Sequence, residues 1–189
     1  MTPLECIQDS IQHWEGGLSL ETADRGNYVN GVLVGSKYGV TAPALASHRK
    51  VPVSSITKDV MAALTMQEAA QIGVDSFYHT CGIDSLAWNR VTASVMDFSW
   101  GSGPGRAARF LQKMVGVTQD GQIGPATDAA FNTFCAQYGE DGAAREWGAV
   151  RDGWYDTIVA NDATQGRFLN GWKNRANSFL PGTPWWGRW

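Results

Sequence analysis

The sequence predicts a mainly α-helical protein with one small β-hairpin near its candidate active site. Apolar residues recur at helical spacing through most of the chain. Several of these stripes open on a helix-start signal, a Thr or a Pro just before the first apolar position. A single run, Tyr28-Val29-Asn30-Gly31-Val32-Leu33-Val34, has strand-forming residues around a central Asn-Gly.

Thr2 followed by Pro3 predicts an N-cap and first turn, after which Leu4, Ile7, Ile11 and Trp14 form one stripe. Gly16-Gly17 stops that helix and leaves Glu15 at its end, beside the apolar face. Between Leu18 and Thr41 only the Tyr28 hairpin has a regular period. A loop is expected to about Thr57, followed by two helices, the second opening at Thr65 with Glu68 three residues on as a capping box. A helix over 84–98 places Trp88, Val91, Val95 and Phe98 on one side. Gly101-Ser102-Gly103-Pro104-Gly105 is the best internal break, and Pro104 opens a helix through Phe110, Leu111, Met114 and Val115 to Gly116. After a turn at Asp120-Gly121, Pro125 begins another helix. Trp147, Val150, Trp154 and Ile158 mark a long one, and Phe168, Trp172 and Phe179 mark a last one ending before Pro181.

A chain of 189 residues with 43% hydrophobic content can fill one sizeable core or two small ones. A net charge of -3 and a pI near 5.5 exclude a general attraction to nucleic acid or to anionic membrane. Cys6, Cys81 and Cys135 are odd in number and widely spaced, which suits thiols better than disulfides. His79 and Cys81 lack a second ligand pair, so no metal and no cofactor are expected. The N-terminus has neither a basic start nor an apolar run, so no cleaved signal peptide is expected, and no stretch has the length of a membrane span. Nothing points beyond a monomer.

Glycosidic hydrolysis needs a carboxylic acid that can still donate a proton near neutral pH, and a second group to stabilise positive charge or direct water. An apolar wall raises a carboxyl pKa by disfavouring its charged form. Glu15 beside Trp14 is placed for the first role. Asp24, in a Gly- and Asn-rich polar segment, suits the second.

Trp14-Glu15-Gly16-Gly17, then Asp24, then Tyr38-Gly39-Val40-Thr41 resemble the Glu-Gly-Gly, Asp, Tyr-Gly-Ile-Thr pattern of glycoside hydrolase family 108. These are N-acetylmuramidases, found among phage endolysins and bacterial lysis or secretion-activating proteins. The resemblance implies a lysozyme-like fold with Glu15 as general acid, Asp24 as second carboxylate and Thr41 as a hydroxyl positioning water or substrate. The family usually reads Asp-x-Gly-Gly-x-Thr where this chain has Asp24-Arg25-Gly26-Asn27-Tyr28-Val29-Asn30. Asn30 and Tyr28 therefore enter as substitutes for Thr41, and with Tyr38 as substrate-binding candidates.

Leu111-Gln112, Gly116-Val117, Asp120-Gly121-Gln122-Ile123-Gly124-Pro125 and Thr127 resemble a predicted peptidoglycan-binding signature, which Gly171-Trp172-Lys173-Asn174-Arg175 closes. Their Asp-Gly and Gly-Pro pairs read as scaffold, since they make a turn and start a helix. The resemblance thus divides the chain into a lysozyme-like catalytic region at 1–100 and a helical peptidoglycan-binding region at 101–189 packed against it. Trp100, at the junction, is either a sugar-stacking residue or part of the interface core.

From Ala163 onward there is no Asp or Glu, while Arg167, Lys173, Arg175 and Arg188 are basic, and Pro184-Trp185-Trp186-Gly187-Arg188-Trp189 ends the chain. Such a tail suits an outer-membrane or lipid surface, or simply folds back on the protein. The expected function is hydrolysis of the β-1,4 bond between N-acetylmuramic acid and N-acetylglucosamine, by an enzyme made in the host cytoplasm and acting on peptidoglycan in the periplasm. A lytic transglycosylase and a non-catalytic wall-binding or secretion-activating protein stay open as alternatives.

Overall fold

The computed structural model describes residues 1–22 and 24–183. Its contacts divide the chain into two compact units, Thr2–Ser76 and Phe77–Trp189, with Met1 belonging to the second.

The first unit opens on α1, Pro3–Trp14. Its start is stronger than Thr2-Pro3 alone conveyed: Thr2 and Glu5 cap each other reciprocally, and Glu5 N–H donates to Thr2 Oγ1 at 3.3 Å. These bonds also hold the Glu5 carboxyl below its usual range. Four short strands follow: β1 (Leu18–Ser19), β2 (Tyr28–Val29), β3 (Val32–Leu33) and β4 (Ser36–Lys37). The expected hairpin is β2–β3, with Tyr28 opposite Leu33 and the Asn-Gly turn at φ 49° and 80°. A second antiparallel pair, β1–β4, corrects the expectation of one β element. Two residues per strand are too few to show a period of two in the sequence.

Helices α2 (Ala42–Arg49), α3 (Lys58–Ala62) and α4 (Met66–Gly73) complete this unit. The presence of α2 corrects the expected loop to Thr57; its Pro43 sits in the first turn, a signal the weak apolar stripe concealed. At α4, Thr65 accepts from Glu68 N–H at 3.1 Å, but the Glu68 carboxylate is taken by Arg49 in a two-pronged pair at 2.7 Å. The expected capping box is therefore only half used. Arg49 holds the Glu68 carboxyl below its usual range. Cys6, Ile7 and Ile11 of α1 are buried, as are Ala69, Ala70 and Ile72 of α4, against which α1 packs.

The second unit is built on α5 (Arg90–Ser102), α6 (Pro104–Val115), α7 (Pro125–Asn161) and α8 (Gly166–Asn177). The helix expected over 84–98 starts later, at the cap residue Asn89, because a 3₁₀ turn, Thr80–Ser85, takes up its first positions. It also ends later, so the break narrows to Gly103, which closes α5 and opens α6. The two helices expected after Pro125 are both present, as the two stretches of α7 that meet at Gly139, whose backbone is not helical.

Residues 90–99 of α5 are buried without interruption, and Thr92, Ser94, Asp97 and Ser99 among them are hydrogen-bonded. Thr92 donates to Ala87 O at 2.7 Å and Ser99 to Phe77 O at 3.0 Å. Asp97 accepts from Arg151 at 2.8 Å and from Arg175 at 2.9 Å. Phe98 lies among Trp147, Phe110 and Tyr155, with ring centroids 5.7, 5.9 and 6.2 Å away. Burying each such ring stabilises the fold by ~1.5–3 kcal/mol.

Candidate active site

Glu15 is the C-cap of α1. It has left the helix, with φ -100° and ψ 139°, while its N–H still donates to Ile11 O at 3.0 Å. The carboxylate is thus carried by a residue held from the helix side by a backbone bond, and it is half-buried. The glycines that follow are exposed, and a Cβ on either would meet nothing within 4 Å. They leave open space after the acid.

The chain returns to this point through β4. Tyr38 N–H donates to Gly16 O at 3.2 Å, and β1 pairs with β4, Leu18 opposite Lys37. Lys37 and Val40 exchange two backbone bonds, at 3.0 and 2.9 Å, around Tyr38-Gly39. Both turn residues are left-handed, φ 55° and 76°, the geometry of a two-residue hairpin turn. For a tyrosine that conformation costs about 1 kcal/mol, so the fold spends strain here to turn the chain. The Tyr-Gly-Val-Thr run is therefore a device for returning the chain beside the end of α1.

Thr41 follows as the N-cap of α2, yet its side chain makes no cap bond. Its hydroxyl is not consumed by the helix. Asp24 caps a 3₁₀ turn, Arg25–Asn27, and its Oδ1 accepts from Gly26 N–H at 2.8 Å. A Cβ at Gly26 would stand 3.1 Å from Asp24 Oδ1 and 3.7 Å from Thr41 Cγ2. Asp24 and Thr41 thus approach each other over a residue without a side chain.

The other candidates have structural duties. Tyr28 donates its hydroxyl to Thr22 O at 3.2 Å, bracing the loop that carries Asp24. Asn30 forms the tip of the β2–β3 turn. Trp100 belongs to the second unit, half-buried, its ring 5.2 Å from that of Phe77. Sequence reasoning missed Asn27, which is fully buried. Its side-chain N–H donates to Glu21 O at 3.0 Å, and its backbone carbonyl accepts from the N–H groups of Val34 and Gly35 at 2.9 and 3.0 Å. An Asn in a polar loop gives no sequence signal for such a post.

In the second unit the signature residues hold the helices together. Gln112 donates to Asp120 Oδ1 at 2.6 Å and to Gln122 O at 2.9 Å, and accepts from Gly121 N–H at 2.9 Å. These bonds hold the Asp120 carboxyl below its usual range. Arg175 of the closing motif binds Asp97, and Trp172 packs on Tyr155 at 5.6 Å. Their scaffold reading fits these contacts.

A family model described as glycosyl hydrolase 108 matches residues 8–103, and one described as a predicted peptidoglycan domain matches residues 106–177. No curated protein matches the chain. Among solved structures, one described as the structure of Brucella abortus SagA is 26% identical, with a TM-score of 0.67. The match covers 94% of this chain and 97% of that one. By the match over residues 8–103 the chain belongs to glycosyl hydrolase family 108, and with the peptidoglycan domain that follows it is a glycoside hydrolase acting on peptidoglycan.

Proposed function

We propose that the enzyme is an N-acetylmuramidase that cleaves the β-1,4 bond between N-acetylmuramic acid and N-acetylglucosamine, with Glu15 as the acid. The reading rests on one observation: the Tyr38-to-Gly16 bond and the β1–β4 pair return the chain from Thr41 to the end of α1, while Asp24 and Thr41 share the space over Gly26. In this mechanism Glu15 gives its proton to the glycosidic oxygen as the bond to the anomeric carbon breaks. Asp24, oriented by Gly26 N–H, stabilises the positive charge that develops on the sugar. Water adds to the anomeric carbon, and its proton passes to a carboxylate. Thr41 positions that water or a sugar hydroxyl. Acting on the wall in the periplasm, the enzyme would cause host lysis in the manner of a phage endolysin.

Glu15→Gln keeps the shape and removes the proton. It is expected to lower release of reducing ends from purified sacculi by roughly 10²–10⁴-fold with an unchanged melting curve. Retained activity would sink the assignment. Mass spectrometry of the products checks the water step, since hydrolysis leaves reducing muramic ends and intramolecular attack leaves anhydro ends.

A further inference from the structure

The bend in α7 opens a groove within the second unit. At Gly139 φ is 69° and ψ is 167°, a conformation open to glycine and costly for other residues. Together with α6, the helical stretches on either side of the bend enclose about 660 Å³. That lies within the roughly 300–1,000 Å³ usual for small-ligand sites.

Three helical faces line it. From α6 come Phe110, Lys113 and Met114, and from α7 before the bend Phe134 and Tyr138, one turn apart. Beyond the bend come Glu146, Val150 and Trp154, with Ala149 and Gly153 too small to fill the space. Tyr138 is 49% exposed, and its ring lies 4.4 Å from that of Phe134, tilted by 31°. Trp154 is held by Phe110 edge-on at 5.5 Å and by the Arg106 guanidinium at 4.3 Å. The signature residues Gln112, Asp120 and Thr127 fix the scaffold, and Phe110, Lys113 and Met114, close to Gln112 on α6, line the groove.

We propose that this groove binds an N-acetylhexosamine unit of the peptidoglycan glycan strand. The apolar face of a pyranose ring stacks on Tyr138 and Phe134, and the acetyl methyl packs on Met114 and Val150. Lys113 takes the lactyl carboxylate of muramic acid, and Glu146 accepts from sugar hydroxyls or the acetamide N–H. The occupant follows from two facts: aromatic rings flanked by one cation and one anion match an amphipathic, carboxylate-bearing sugar, and every lining residue falls within the matched peptidoglycan domain. The inference rests on the reading of the chain as a peptidoglycan hydrolase and adds where the strand is held outside the cleavage site.

The test uses the full chain carrying Glu15→Gln, so that sacculi survive, and measures co-sedimentation with purified sacculi. Gly153→Leu is the blocking variant: a Cβ there meets nothing within 4 Å, and leucine favours helix, so the fold is retained while the groove is filled. It is expected to weaken binding about tenfold, as is Tyr138→Ala, with Tyr138→Trp restoring binding. Unchanged binding by Gly153→Leu overturns the proposal. Competition by soluble N-acetylglucosamine–N-acetylmuramic acid oligomers supports the sugar assignment, whereas competition by free stem peptide alone overturns it. Release of reducing ends by the wild-type chain reads the hydrolase separately, so a failed groove and a failed hydrolase give different results.

Discussion

The two units hold their key side chains by different means. In Thr2–Ser76 the candidate catalytic groups are set by backbone: a helix cap for Glu15, a 3₁₀ cap for Asp24, and the strained Tyr38-Gly39 turn that delivers Thr41. In the second unit side chains do the holding, through the Asp97–Arg151–Arg175 cluster and the Gln112 hub. Backbone positioning leaves carboxylates exposed enough to meet substrate and water. Buried side-chain networks give rigidity, because each unpaired polar group there costs dearly.

This difference predicts that variants in one unit lose activity and variants in the other lose stability. The largest effect is expected for Asp97→Ala. Both Asp97 and Arg151 are only 1% exposed at the side chain, so the substitution strands a buried guanidinium and costs about 3–5 kcal/mol. Urea denaturation measures the loss, and hydrogen exchange should localise it to α5 and α7. A cost below about 1 kcal/mol would show the cluster to be as weak as a surface pair.

Gly35→Ala is the converse. Its φ is 86° and a Cβ would stand 2.5 Å from Ser19 O, so β1 and β4 must part. The expected stability loss is about 1–3 kcal/mol. Because Glu15, the proposed acid, precedes Gly16, which that ribbon's Tyr38 binds, release of reducing ends should fall further, by about 10²-fold. Parallel falls in both would reduce the ribbon to scaffolding.

The smallest effect concerns Arg49 and Glu68. The Glu68 carboxyl is held below its ordinary value by Arg49, so the pair's stabilisation is fully present above the unfolded value of about 4.3. It is lost as pH falls through the lower folded value. Arg49→Ala should lower the melting temperature slightly at pH 7 and make no difference at a pH low enough to protonate Glu68. An equal loss at both pH values would mean that Arg49 acts through packing rather than charge.

Much of this was legible in the sequence because local signals agreed. Thr2-Pro3, the α1 stripe and Gly16-Gly17 define a helix with Glu15 at its end without reference to anything distant. The β2–β3 turn is encoded by Asn30-Gly31 in the same way. Motif order then picked out Glu15, Asp24 and Thr41, and the family match spans all three.

What escaped depends on contacts far apart in the chain. The β1–β4 pair joins Leu18 to Lys37, and Arg175 meets Asp97 across 78 positions, separations over which a period carries no information. The two helices after Pro125 were legible, but not that their junction falls at Gly139, where the non-helical backbone angles bend α7 beside the groove. The sequence by itself determined most of the helices and the hairpin turn and singled out Glu15 as the candidate acid, since caps, stripes and turn residues act within a few positions. Tertiary structure alone decided that Asp24 and Thr41 both come close to Gly26 and that Arg175 closes on Asp97. Those outcomes are set by packing and by hydrogen bonds between groups brought together only when the chain closes on itself.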